Sequence, residues 1–243
     1  MSLQRLQGHL SHNPGWHHAE LAITLLQPEQ LRLALLQVDD QQCFAADQIA
    51  DIWQRLPFWA FAWAGGRAMS QWLAANPQPV QGKQVLDFGC GSGMAAVQAL
   101  KAGAERVWVM DIDPHALEAA QYNAQLNGVT IDVWQQDSFP PADVFLAGDI
   151  LYDPGCRPLL RQLLDAIPAG YLAEPTEALR LYAGASPENG GQKAAFNNAT
   201  FNNDVAAVIR HIASFDSSTL PVIGDFDEHV GIDIVGVEPG AAE

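Results

Sequence analysis

Residues 84–93 read QVLDFGCGSG, and a helical stretch opens at Met94. A short apolar run followed by glycines at positions 89, 91 and 93 predicts a buried strand that turns sharply into a helix. Glycines at alternate positions let the backbone come close to a ligand at the edge of a sheet. Three more runs repeat the strand pattern, RVWVMD (106–111), TIDVWQ (130–135) and DVFLAGD (143–149), with helical segments interleaved. Most are too apolar to keep one face in water, so the expected fold is α/β: a parallel sheet covered by helices on both sides.

The chemistry of the glycine turn narrows the ligand. A dinucleotide fingerprint is spaced GxGxxG, whereas this turn is spaced GxGxG and carries a carboxylate, Asp87, two residues before Gly89. An anion there opposes a pyrophosphate and suits a ligand bearing an ammonium and a sulfonium, such as S-adenosylmethionine. Asp111 ends the second strand about 20 residues beyond the first glycine, where a carboxylate can take both hydroxyls of a ribose. Asp137, after the third strand, can accept from an adenine amino group, and the turn around it also suits an acid making local hydrogen bonds. Asp113 reads as the cap of a helix with Pro114 at its first position and Gly128 beyond its end.

The fourth run ends in GDILYDPG (148–155), next to the glycine turn and at the edge where a transferred group should point. Asp149 is either the residue that orients a substrate amine or a turn residue; Tyr152 either lines the acceptor channel or packs. Upstream, PFWAFAWAGG (57–66) places Trp59, Phe61 and Trp63 ahead of a helix over 66–75. Their faces can attract a sulfonium or a methylated ammonium, and the same pattern suits core. Cys90 reads as a small filler. His12, His17 and His18 have no matching acid or cysteine spacing and read as surface residues, so no metal site is expected. Hydrolase and phosphate-loop motifs are missing from the sequence.

Composition excludes other classes. With 243 residues and 49% apolar content the chain can bury a proper core, and 28 acids against 12 Lys and Arg give a net charge of −16. The basic residues are scattered, and after Arg210 there are none, so a phosphate-gripping face and a nucleic-acid partner are not expected. No apolar run is long enough to span a bilayer, no leader segment is evident, and three dispersed cysteines suit a reducing cytoplasm.

The expected organisation is an N-terminal helical extension or cap over 1–77, with helices near Leu31–Leu36 and at Ile49, Ile52 and Trp53, and a ligand-binding domain over 78–243. Further expectations are a helix over 159–167, a fifth strand at LRLYAG (179–184), a Gly- and Asn-rich loop over 186–203, a helix over 205–212 and a strand at VGIDIVGV (230–237).

Over about residues 57–154 these motifs resemble class I S-adenosylmethionine-dependent methyltransferases. Within that superfamily the aromatic-Trp-Gly-Gly segment and the DxxY string from Asp149 to Tyr152 are similar to the group containing the lysine methyltransferase of the electron transfer flavoprotein beta subunit. The resemblance implies a Rossmann-like seven-stranded, mostly parallel sheet with one reversed strand. It implies S-adenosylmethionine contacts at Trp63, Asp87, Gly89, Gly91, Gly93, Asp111, Ile112 and Asp137, and catalytic roles for Asp149 and Tyr152. It also implies methyl transfer to the accessible lysine of a protein. A small-molecule or ribosomal-protein N-methyltransferase, and a non-catalytic cofactor-binding regulator, are the alternatives. Past Gly184 the likeness fades.

Overall fold

The computed structural model describes residues 2–13, 16, 18–37, 55–182, 207–222 and 229–239. The chain begins with helix α1 (Leu3–Ser11), strands β1 (Glu20–Leu26) and β2 (Leu31–Gln37), and helix α2 (Ala64–Ala75). Then follow β3 (Gln84–Phe88), α3 (Met94–Lys101), β4 (Arg106–Met110), α4 (Pro114–Leu126), the short β5 (Asp132–Val133) and β6 (Val144–Gly148). The remainder is α5 (Cys156–Ala166), β7 (Gly170–Pro175), α6 (Thr176–Tyr182), β8 (Ala207–Ser217) and β9 (Val230–Pro239).

A seven-stranded sheet runs in the order β5-β4-β3-β6-β7-β9-β8. All neighbouring pairs from β5 to β7 are parallel, and β9 is antiparallel to both β7 and β8, which makes it the one reversed strand. Alternation along each strand divides its side chains between two cores. Val85, Val107, Val109, Val144 and Leu146 pack with Met69, Leu73, Val97 and Leu117 from α2, α3 and α4. Leu86, Trp108, Phe145 and Leu172 pack on the opposite face with Leu160, Leu163 and Leu179 from α5 and α6. The doubly covered α/β architecture is the one the apolar strands call for.

The N-terminal extension is not wholly helical. Residues expected as a helix near Leu31–Leu36 form β2, which pairs antiparallel with β1 in a hairpin of its own. Leu31, Leu33 and Leu35 face the core under α2 and α3, while Ala34 and Leu36 face a third cluster with Leu6, Leu10 and Phe61. A strand buried on both faces shows a continuous apolar run, and such a run carries no period to distinguish it from a helix. Ile49, Ile52 and Trp53 lie outside the described residues.

Two further expectations are corrected. The fifth parallel strand is β7, while the residues from Leu179 to Tyr182 belong to helix α6. Gly170 and Glu174 disguise β7 as a polar turn, yet the glycine is there because a Cβ would lie 2.2 Å from the ring of Phe145. The helix expected over 205–212 is strand β8 from Ala207 onward, with Ala207 and Ile209 buried and Val208 exposed. A register shift between His211 and Ala213 interrupts its pairing with β9. The loop expected over 186–203 lies outside the described residues.

Candidate active site

The site is assembled at the carboxyl edge of the parallel strands, beginning with the glycine turn. Gly89, Gly91 and Gly93 have φ of +68°, +49° and +73°, the left-handed region that favours glycine. Gly93 is also sterically fixed, because a Cβ there would lie 2.5 Å from the Cβ of Ala120 in α4. Asp87 is buried at the end of β3, and its Oδ2 accepts from the Ala96 amide at 3.0 Å, one of the unpaired donors in the first turn of α3. Burial raises its carboxyl to about 7, against the Ala96 bond, which lowers it, and with a smaller upward push from Asp111.

Asp111 reaches back from β4 to the same turn. Its Oδ2 accepts from the Gly91 amide at 2.9 Å and its Oδ1 from the Asp113 amide at 2.9 Å. Burial again raises the carboxyl, and the two amides oppose that shift. The next residue, Ile112, is 97% exposed. Asp113 caps α4 by accepting from the His115 amide at 2.8 Å, as expected of it. Asp137 is exposed in the bend after β5, within a turn braced by the Trp134 indole donating to the Ser138 carbonyl at 2.6 Å.

These residues fit a nucleoside. A Cβ built on Gly91 would reach nothing closer than the Phe58 carbonyl at 4.0 Å, so the missing side chain leaves open space over the turn. Beside that space stand a carboxylate with spare lone pairs for hydroxyls and an apolar side chain with no cover of its own.

The carboxyl end of β6 is built differently. Asp149 ends β6 with φ of +54°, and its Oδ2 accepts from the Gly65 and Gly66 amides at 2.8 and 3.3 Å. These are the opening residues of α2, so the carboxylate closes that helix terminus. Burial raises its carboxyl to about 7, opposed by the two amides. A Cβ on Gly65 would lie 2.3 Å from the Ala173 carbonyl and 2.6 Å from Asp149 Oδ2, which explains the glycine after Trp63 and Ala64. The side chain expected to orient an amine is therefore already engaged with backbone.

The aromatic segment divides into two groups. Trp59 and Phe61 are buried in the cluster with α1 and β2, which is the core reading. Trp63 is half-buried, its indole N–H donates to the Phe58 carbonyl at 2.8 Å, and its ring stacks on Phe58 at 5.5 Å. Tyr152, 67% exposed, stacks on Phe58 from the other segment at 6.1 Å and 13°. Phe58 thus joins the two stretches, a role hidden because period-two spacing drew attention to its neighbours.

Sequence reasoning also missed Glu174. Fully buried at the end of β7, it accepts from the Ile150 amide at 2.8 Å and the Leu151 amide at 3.2 Å. Burial, then the nearby Asp149, pushes its carboxyl well above the usual range. An acid inside the otherwise apolar GYLAEP was the available sign. Cys90 is buried in the turn, as a filler would be. Among the described residues no group of three or more His, Cys, Asp or Glu is placed to hold a metal ion, and no helix is long and apolar enough to cross a membrane.

Residues 70–168 match the family model described as Ribosomal protein L11 methyltransferase (PrmA). The matched region, which spans the glycine turn and the strands from β3 to β6, is thus similar to a PrmA-type methyltransferase domain. The chain is 38% identical over 149 residues to the electron transfer flavoprotein beta subunit lysine methyltransferase of Xenopus laevis, covering 59% of each chain. It is 57% identical over 60 residues to the ribosomal protein L11 methyltransferase of Tolumonas auensis, covering 25% of this chain and 20% of that one. The chain thus spans about three-fifths or less of the length of these relatives. A solved structure of a Pyrococcus horikoshii protein, a candidate RNA methyltransferase, superposes with a TM-score of 0.54 at 18% identity, covering 72% of this chain and 84% of that chain, a likeness of fold.

Proposed function

We propose that this protein is an S-adenosylmethionine-dependent methyltransferase that modifies a lysine amine of a protein, with the electron transfer flavoprotein beta subunit or a similar protein as acceptor. The observation that carries the reading is the Asp111 carboxylate bridged to the Gly91 amide, next to the exposed Ile112. The acceptor class is supported by the 38% identity to the Xenopus laevis enzyme. The L11 methyltransferase match favours a ribosomal protein as the second choice of acceptor.

In this reading Asp111 takes the ribose hydroxyls, Ile112 covers one face of the adenine and Asp137 accepts from its amino group. Gly89, Gly91 and Gly93 admit the cofactor backbone-close, and Asp87 and the Trp63 face favour its cationic end. S-adenosylmethionine, when bound, supplies an electrophilic methyl group. The protein's contribution is alignment, a term that can reach about 7–11 kcal/mol in favourable cases. The attacking amine must be neutral although lysine ordinarily titrates near about 10.4. The side chain arrives as an ammonium and reacts after losing its proton, which desolvation beside Trp63 and Tyr152 favours. Asp149, held by the Gly65 and Gly66 amides, fixes the two segments that carry these rings, and Tyr152 makes the contact with the acceptor.

We assign 78–243 to the methyltransferase domain and the preceding residues to a cap that shares its core, and place the activity in the cytoplasm, in keeping with the free thiols of Cys90 and Cys156 among the described residues. The test is transfer of labelled methyl from S-adenosylmethionine to purified electron transfer flavoprotein beta subunit and to ribosomal protein L11, with the modified residue located by mass. Label on a lysine of the former is expected. Cofactor binding without label on either protein would overturn the acceptor assignment, and no cofactor binding would overturn the whole reading.

A further inference from the structure

Large apolar side chains left in water are informative when they gather at a functional edge. Phe58 is 41% exposed although its neighbours Trp59 and Phe61 are buried, so the short helical turn from Phe58 to Ala60 turns one ring out while turning the rest in. That ring stacks on Tyr152 from the loop after β6 and on Trp63 ahead of α2. Its carbonyl is the nearest atom over Gly91 and also pins the Trp63 indole. Phe58 therefore stands where the cofactor turn meets the acceptor loop.

Acidic groups stand near the rings. The Tyr152 hydroxyl is pushed up first by burial and then by Cys156, Asp153, Asp111 and Asp149, three of them carboxylates. An aromatic face is electron-rich, and a neighbouring anionic field adds to its attraction for a cation while doing little for a neutral group.

We infer that Phe58, with Tyr152 and Trp63, forms a cation-selective seat for the ammonium-bearing side chain of the methyl acceptor, and that Phe58 is the residue that sets this selectivity. The seat rests on the methyltransferase reading for the identity of its occupant; its selectivity for charge does not. A hydroxyl or thiol acceptor of the same shape gains nothing from π faces, so the seat sorts nitrogen acceptors from other nucleophiles before chemistry begins.

Choline and its uncharged carbon isostere, 3,3-dimethylbutan-1-ol, separate charge from shape. In titrations of the full chain followed by NMR, choline should shift the ring resonances of Phe58 and Tyr152 while the isostere at equal concentration leaves them in place. Phe58→Leu should abolish the choline shift of Tyr152 and Phe58→Tyr should retain it, which guards against a merely structural loss. Equal shifts by both compounds, or a choline response of Tyr152 that persists in Phe58→Leu, would overturn the seat. The sulfonium of the cofactor is the competing cation, so the ratio of affinities for S-adenosylmethionine and its neutral product S-adenosylhomocysteine is the second arm. Phe58→Leu should leave that ratio within twofold and raise the acceptor KM at least tenfold with kcat little changed; a collapse of the ratio assigns the rings to the cofactor and overturns the proposal. Charge-selective shifts in a protein that transfers no methyl group would support the seat and count against the proposed activity.

Discussion

Asp111 and Asp149 end parallel strands at the same edge of the sheet, and each accepts from a glycine amide beside the site. Their surroundings set them apart. Asp111 joins its strand to the turn that follows β3 and is followed by the exposed Ile112. Asp149 lies beneath the opening turn of α2, with Gly65 against it, and the positive φ of its own backbone turns the chain towards Tyr152. In the proposed function, two carboxylates in equivalent positions divide the work into one that meets a ligand and one that braces the wall around it. What covers a strand end, more than the acid there, decides which task it performs.

The largest effect expected concerns pH. Asp87 and Asp149 hold their protons in the folded chain up to about 7, against 3.8 for an ordinary aspartate. The folded state therefore binds more protons between these values, so the stability they contribute is complete below about pH 4 and lost as pH rises towards 7. The total is on the order of 4 kcal/mol for each group. Urea unfolding at pH 5 and pH 8 should show the decline, and Asp149→Asn should reduce it; an unchanged slope would put Asp149 in the same class as Asp111. Gly65→Ala comes next, with a loss of about 3 kcal/mol in the same assay because the added Cβ meets backbone and a carboxylate.

Asp111→Ala should weaken S-adenosylmethionine binding by about 2 kcal/mol, roughly thirtyfold by calorimetry, because a charge-assisted pair is lost. Asp149→Ala should leave that affinity within about threefold while abolishing methyl transfer. The opposite pattern would reverse the assignment of the two acids. The smallest effect is expected of Ile112→Ser, about 1 kcal/mol in cofactor affinity with unchanged stability, since the side chain is in water until a ligand covers it.

How far the sequence could be read depended on how local each interaction is. The turn from Asp87 to Gly93, the cap at Asp113 and the apolar strands β3, β4 and β6 are each specified by neighbours in the chain, and they stand where the pattern put them. Strand β2 was lost to a run buried on two faces, and β7 to Gly170 and Glu174, whose presence is explained only by the Phe145 ring and by amides of the loop after β6. The wall around Asp149 was legible as residue types but not as roles. Nothing near Asp149 in the chain announces that its partners are the amides of Gly65 and Gly66, and nothing beside Phe58 announces Tyr152.

The oxygen that Asp149 shares between two amides of α2 has a consequence for anyone who would remodel this protein. The segment leading into α2 and the loop after β6 are far apart in the chain, yet Asp149 and the Phe58–Tyr152 stack fasten them into one part, and Glu174 fastens the loop from its other side. A transplant of the loop alone, to import another acceptor preference, would carry an acid into a place with no matching glycine pair, or strand the pair without its acid. Residues 58–66, 149–152 and 174 form the smallest cassette that can be exchanged between relatives as a working unit.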